Sequence, residues 1–154
     1  MAGANDSHVT VCGNLFVLLR NHVRGSDCRV FISDMKARIE KLNRYYYPDV
    51  MVTCDERDKE NTTEKKFPCL IVEVLSNSTE AFDRGDKFAD YQILETLKEY
   101  VLINVKRQRV ECFRRNSEGV WFLKSYTAQD QSFQLQSINF EAEMNALYED
   151  VIFT

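Results

Sequence analysis

The spacing of apolar and polar positions changes period several times along the chain. Over residues 7–24, Cys12, Leu15, Phe16, Leu19 and Val23 recur at helical spacing. Asp6 or Ser7 can cap the start and Gly25 can end it, so a helix is predicted there. From Cys28 to Ile39 the period shortens to two, with Phe31, Met35, Ala37 and Ile39 on one strand face and Asp34, Lys36 and Arg38 on the other. A second strand is predicted over Tyr46 to Cys54, irregular at its start because Pro48 cannot donate to a ladder. Between Asp55 and Lys66 nine of twelve residues are charged, which predicts a solvated, mobile linker.

The run Cys69-Leu70-Ile71-Val72-Glu73-Val74-Leu75 is nearly all apolar and reads as a central strand covered on both faces. Asn77, Ser78 and Thr79 offer caps for a helix over about Glu80 to Leu97. Three strands follow, over Tyr100 to Val105, Arg109 to Arg114 and Val120 to Tyr126, and a short helix over Glu141 to Asp150 closes the chain. The order predicts an α/β domain built on a single mixed sheet flanked by helices.

A length of 154 residues fits one domain over 1–154, large enough to bury a core without a metal or disulfide staple. A net charge of −4 excludes a blanket electrostatic grip on nucleic acid but leaves room for a local basic face. The five cysteines, at 12, 28, 54, 69 and 112, show neither zinc-knuckle nor redox-motif spacing and read as reduced, buried thiols of a cytoplasmic protein. The apolar run Leu15 to Leu19 is too short to span a membrane. His8 and His22 have no ligand-spaced partner, which favours surface or capping roles.

Glu73 is the anomaly, a carboxylate inside the most apolar strand. A buried, unpaired carboxylate costs several kcal/mol, so it must be neutralised, paired or bound to a cation. An internal ion pair would answer that need, but perturbed buried acids more often serve function. Asp49 opens the preceding strand, and adjacent strands can bring it within a few ångströms of Glu73, where two like charges call for a metal. Asp83, Lys87 and Tyr91 recur every four residues and form one polar stripe on the following helix. That stripe is either a solvated face or a source of positive charge over the strand ends.

The runs Tyr47-Pro48-Asp49-Val50-Met51-Val52 and Leu70-Ile71-Val72-Glu73-Val74-Leu75-Ser76-Asn77-Ser78-Thr79, followed by Asp83, Lys87 and Tyr91, resemble the Uma-two family. That family is a restriction endonuclease-like branch of the PD-(D/E)XK nuclease superfamily. The similarity continues through Glu99-Tyr100-Val101-Leu102 and the strand ending in Arg114-Arg115, and back to Val30–Ile39, so it covers most of the chain.

The resemblance implies a PD-(D/E)XK core and metal-dependent hydrolysis of DNA phosphodiesters, with Mg²⁺ or Mn²⁺ held by Asp49, Glu73 and the main-chain carbonyl of Val74. Leu75 stands where the superfamily usually has its lysine, and Lys87 matches the family's substitute, which makes Asp49, Glu73 and Lys87 the implied catalytic set. Asp83 and Tyr91 would position Lys87. Asp34 and Lys36 either line the same cleft or form an edge-strand ion pair. Arg107, Arg109, Arg114 and Arg115 are candidates for DNA phosphate contacts. DNA is the implied partner, no membrane is, and a homodimer is left open. Asn77 replaces the family's usual proline. The family's extra N-terminal helix and hairpin would precede the segment resembling Ala2-Gly3-Ala4, so the chain reads as a shortened member. The competing expectation is a non-catalytic binding or interaction module on a degenerate nuclease fold.

Overall fold

The computed structural model describes residues 5–153, and Ala2-Gly3-Ala4 lies outside the described residues. In chain order the first elements are α1 (Asp6–Val23), β1 (Arg29–Ile32), β2 (Lys36–Ile39), β3 (Arg44–Tyr46), β4 (Val50–Thr53), β5 (Glu64–Lys65) and β6 (Pro68–Val74). Then come α2 (Glu80–Arg84), α3 (Asp86–Tyr91), β7 (Glu99–Asn104), β8 (Arg109–Arg115), β9 (Trp121–Thr127), β10 (Ser132–Leu135), β11 (Phe140–Glu143) and α4 (Met144–Leu147).

The centre is a six-stranded mixed sheet ordered β1-β4-β6-β7-β8-β9. Within it β6 and β7 run parallel and every other neighbouring pair is antiparallel. Helix α1 covers one face, where Val11, Leu15 and Leu19 pack with Val50, Val52, Leu70, Val72 and Val101. Alternation along the strands sends Met51, Ile71, Tyr100 and Leu102 to the other face, where they pack with Phe88 and Tyr91 of α3. Both faces of β6 are therefore buried, as its nearly unbroken apolar run requires. The mixed sheet flanked by helices is the architecture the sequence predicts.

Several boundaries differ. Asn5, not Asp6 or Ser7, caps α1, its side chain accepting from the His8 amide at 2.9 Å. The strand expected over 28–39 is two strands in different sheets, broken at Ser33, which takes a left-handed φ of 56°. The strand expected over 46–54 divides around Pro48 into β3 and β4. The long second helix is two short ones: the chain turns at Gly85, where an added Cβ would meet the Ala81 carbonyl at 3.2 Å, and the helix ends at Tyr91. The β10–β11 hairpin has no counterpart in the sequence reading and takes over the start of the predicted last helix, leaving Met144–Leu147.

The charged segment 55–66 is tied down rather than merely solvated. Asp58 is buried and accepts from the Lys66 and Phe67 amides at 2.8 and 3.0 Å, and the Lys65 ammonium donates to the Asp58 and Asn61 carbonyls at 2.7 and 2.6 Å. The cysteine reading also needs correction. Cys28 and Cys54 form a disulfide, because they flank β1 and β4, whose Arg29 and Thr53 are register partners. A sequence gap of 26 hid a cross-strand pair. Cys12, Cys69 and Cys112 are free thiols. Among the described residues, no helix is long and apolar enough to cross a membrane.

Candidate active site

Register builds the site. Val50 of β4 faces Val72 of β6, so Asp49, one residue earlier, comes level with Glu73. The two are laced together: the Asp49 amide donates to Glu73 Oε1 at 3.2 Å, and the Val74 amide donates to Asp49 Oδ2 at 2.8 Å. Glu73 is 2% exposed. From above, α3 delivers Lys87, whose Nζ lies 2.8 Å from Glu73 Oε2 and 3.4 Å from Asp83 Oδ1. The break at Gly85 sets this approach, since Asp83 lies in the last turn of one short helix and Lys87 in the first turn of the next, yet the two meet at 3.4 Å beside Glu73.

The electrostatics follow from burial. Desolvation pushes the Glu73 carboxyl up to about 8, against the pull of Lys87 and with a further push from Asp49. Burial also raises Asp83. Lys87 moves upward because Glu73 and Asp83 outweigh the lowering by burial, so the ammonium persists across neutral pH and Glu73 is the group that titrates. The ion pair is off the line of a good hydrogen bond, and among the described residues Glu73 Oε2 has no aligned donor. An acid with a free acceptor, beside a second carboxylate, suits a hard divalent cation with oxygen ligands. Asp49, Glu73 and the Val74 main chain fit that description.

Tyr91 does not hold Lys87 by a hydrogen bond. Its buried hydroxyl has no partner among the described residues, and its ring packs edge-on against Tyr46 with centroids 5.4 Å apart. Asp34 is exposed in the turn after β1, while Lys36 lies over the Tyr45 ring at 4.8 Å. Among the described residues neither forms an ion pair with the other or with the Asp49–Glu73 cluster. Arg114 cannot serve as a phosphate contact: it is buried and donates to Glu99 at 2.9 Å and to the Gln134 carbonyl at 2.7 Å. Arg115 is committed to the Leu94, Glu95 and Gln92 carbonyls. Arg107 and Arg109 flank the β7–β8 turn, at the same sheet end as Glu73 because β6 and β7 run parallel.

Two groups escaped the sequence reading. Arg84 grips Glu111 at 2.7 and 3.2 Å, on the same strand row as Glu73, because Glu73 faces Leu102 and Leu102 faces Glu111. His8 belongs to the cluster, with Nε2 3.4 Å from Asp49 Oδ2 and Nδ1 3.8 Å from Cys12 Sγ. The hydrogen bond to Asp49 raises His8 against the opposing effect of burial. The available signal was the four-residue step from His8 to Cys12, which places both on one side of α1. His22, by contrast, contacts the Ile138 carbonyl at 2.7 Å and packs on Phe140.

Comparison with known proteins identifies the family and the fold. The model of the Uma2 family, described as "Putative restriction endonuclease", matches residues 1–146, and the chain belongs to that family. An uncharacterised protein of Synechocystis, slr1290, is 37% identical over 153 residues, covering 99% of this chain and 80% of the relative. A second, sll1609, is 35% identical over 125 residues, covering 80% and 71%. A crystal structure from Anabaena variabilis, described as a "putative nuclease belonging to DUF820", superposes with a TM-score of 0.80 at 12% identity, over 98% of this chain and 85% of that one. That likeness is one of fold.

Proposed function

We propose that this Uma2 family member is an endonuclease that hydrolyses DNA phosphodiester bonds with a divalent cation, Mg²⁺ or Mn²⁺. The carrying observation is the register that sets Asp49 beside Glu73 under the ammonium of Lys87, at 2.8 Å from Glu73 Oε2. Asp49, Glu73 and the Val74 carbonyl would hold the ion, whose chemistry is to polarise the phosphate and acidify a water. Lys87 is the charge that this chain itself contributes. It stays protonated beside the cleft and can offset negative charge building on the phosphate. Asp83 positions Lys87 from one turn away. The aromatic rings of Tyr46 and Phe82 lie 5.5 and 6.0 Å from the ammonium and help to screen it from bulk water. Arg107, and the half-exposed Arg109 whose Nε lies 3.8 Å from Glu111 Oε1, would meet the DNA backbone from the neighbouring turn.

One feature favours the rival reading, a binding module without cleavage: Lys87 already lies against Glu73 Oε2, at 2.8 Å, where a metal would have to bind. A plasmid assay separates the two. Supercoiled DNA should be nicked with Mg²⁺ or Mn²⁺ and left intact with EDTA. Lys87→Ala and Glu73→Ala should each slow nicking by about a hundredfold or more. Wild-type protein that shifts DNA in a gel yet never nicks it would establish the binding module instead.

A further inference from the structure

We infer that His8, Cys12 and Asp49 form a binding site for a borderline-soft divalent ion of the Zn²⁺ class, set against the wall of the acidic cleft. Each residue offers one ligand atom, and these atoms all lie within 4.8 Å of one another. An imidazole, a thiol and a carboxylate together are not a magnesium donor set; nitrogen and sulfur ligands select Zn²⁺ and its neighbours. Ligand bonds of about 2.0–2.3 Å place the donor atoms of a tetrahedral zinc site roughly 3.3–3.8 Å apart. The 3.4 Å between His8 Nε2 and Asp49 Oδ2 already falls in that interval. Cys12 Sγ stands 3.8 Å from the other ring nitrogen, so closing on one ion takes a turn of the imidazole and shifts of about an ångström.

The fold explains why the three meet. His8 and Cys12 are one turn apart on the first half of α1, the face turned toward the sheet, and Cys12 is buried. Asp49 sits where β4 begins, and the Val74 amide fixes its carboxylate at 2.8 Å. An anchored carboxylate of this kind orients a metal ligand. Three protein ligands leave a fourth position for water. On binding, Cys12 gives up its thiol proton to solvent and coordinates as thiolate, and His8 coordinates as the neutral ring. The cation thus displaces the thiol proton and, where the ring is charged beside Asp49, the ring proton as well.

The site stands apart from the nuclease reading except at one atom group. Because Asp49 belongs to both, a Zn²⁺ ion held by His8 and Cys12 would take Asp49 from the hydrolytic ion and suppress cleavage supported by Mg²⁺; that consequence rests on the function proposed above.

Co²⁺ is the probe, because a cobalt–thiolate bond gives a near-ultraviolet charge-transfer band that oxygen-only sites lack. Wild-type protein, with its disulfide intact and no added thiol, should show the band at one equivalent of Co²⁺ and lose it when Zn²⁺ is added. Cys12→Ala should abolish the band and weaken Zn²⁺ binding, measured calorimetrically, by at least roughly tenfold to a hundredfold. Should that variant fold poorly, His8→Gln keeps Cys12 and should shift the band and weaken Zn²⁺ in the same direction. Glu73→Gln should leave the band in place while stopping any Mg²⁺-supported cleavage. Absence of the band in wild type, or its persistence in Cys12→Ala through Cys69 or Cys112, overturns the inference. A band in wild type with no cleavage under any metal would instead sink the nuclease reading and leave this site standing.

Discussion

Two buried carboxylate–cation pairs lie in the same six-stranded sheet at opposite ends of its central parallel strands, and they are built to different standards. At the start of β7, Glu99 accepts from Arg114 Nε at 2.9 Å, from the Ser137 amide at 2.9 Å and from the Ser137 hydroxyl at 2.7 Å. Arg114 Nη2 donates to the Tyr126 hydroxyl and the Gln134 carbonyl. At the end of β6, Glu73 has the Asp49 amide on one oxygen and a poorly aligned Lys87 on the other, and Asp83 shares the same ammonium. Buried charge alone therefore does not mark a site in this protein. The Glu99 pair is saturated, so it can bind nothing further; the Glu73 pair keeps acceptor capacity beside a cation, which is what a reacting phosphate or a metal needs.

The sharpest way to break this comparison is to remove one partner of the saturated pair. Arg114→Met strands Glu99 in the core, and losing half of a hydrogen-bonded buried pair costs about 3–5 kcal/mol. Urea denaturation should register that loss, and DNA binding at permissive temperature should keep its salt dependence, because Arg114 has no face toward solvent. Arg107→Ala with Arg109→Ala should do the reverse, lowering the slope of log affinity against log salt by about one unit per lost phosphate contact, with stability little changed. An Arg114→Met protein of wild-type stability would show that saturation is not what holds Glu99.

How much of this was legible follows the same division. The central strand, the mixed sheet and the Asp49–Glu73 pairing were readable because they depend on hydrophobic period and strand adjacency, which a sequence carries locally. The Asp83–Lys87 spacing was readable for the same reason, as an i, i+4 step. What stayed hidden depends on register between distant segments. Arg114 reads as one of several basic surface residues until Glu99 is seen directly across the ladder from it. Cys28 and Cys54 look unrelated until β1 is laid against β4. His8 reads as a surface or capping residue because Asp49, its partner, lies far along the chain and joins it only where α1 crosses the sheet end. The helix over 80–97 was overextended because Leu94 and Leu97 keep apolar spacing while packing into the core from irregular backbone.

The same experiment on the unsaturated pair should cost less. Lys87→Met leaves Glu73 and Asp83 without their ammonium, but burial already holds the Glu73 carboxyl up to about 8, so it can take a proton and avoid stranded charge. The expected penalty at pH 6 is about 1–2 kcal/mol, that of a buried polar group losing its partner rather than of a bare ion. A penalty as large as that of Arg114→Met would mean that the two pairs are equivalent in energy and differ only in geometry.

The smallest effect, and the most diagnostic, is in the pH dependence of stability for Glu73→Gln. The Glu73 carboxyl sits above its ordinary value of 4.5, at about 8, because burial disfavours the charged form more than Lys87 favours it. Between those two values the folded chain holds a proton that the unfolded chain has released, so stability must fall as pH rises. The contribution is full below pH 4.5 and lost by about 8. His8, raised by Asp49, adds a decline of the same sign, but one that begins only at its ordinary 6.5. Asp83, raised from 3.8 by burial, adds a decline of the same sign in both proteins. Between pH 4.5 and 6.5 it is therefore the difference between wild type and variant that isolates Glu73, and Lys87, raised from 10.5, titrates outside that interval. Glutamine keeps the shape and loses the titration, and Asp83 remains as a partner for Lys87 at 3.4 Å. Denaturation midpoints should nearly coincide for the two proteins at pH 4.5 and separate steadily toward 6.5, with the variant the more stable. Parallel curves across that interval would mean that Glu73 is ionised throughout, held by Lys87 as firmly as Arg114 holds Glu99, and the contrast between the two ends of the sheet would be one of hydrogen-bond count alone.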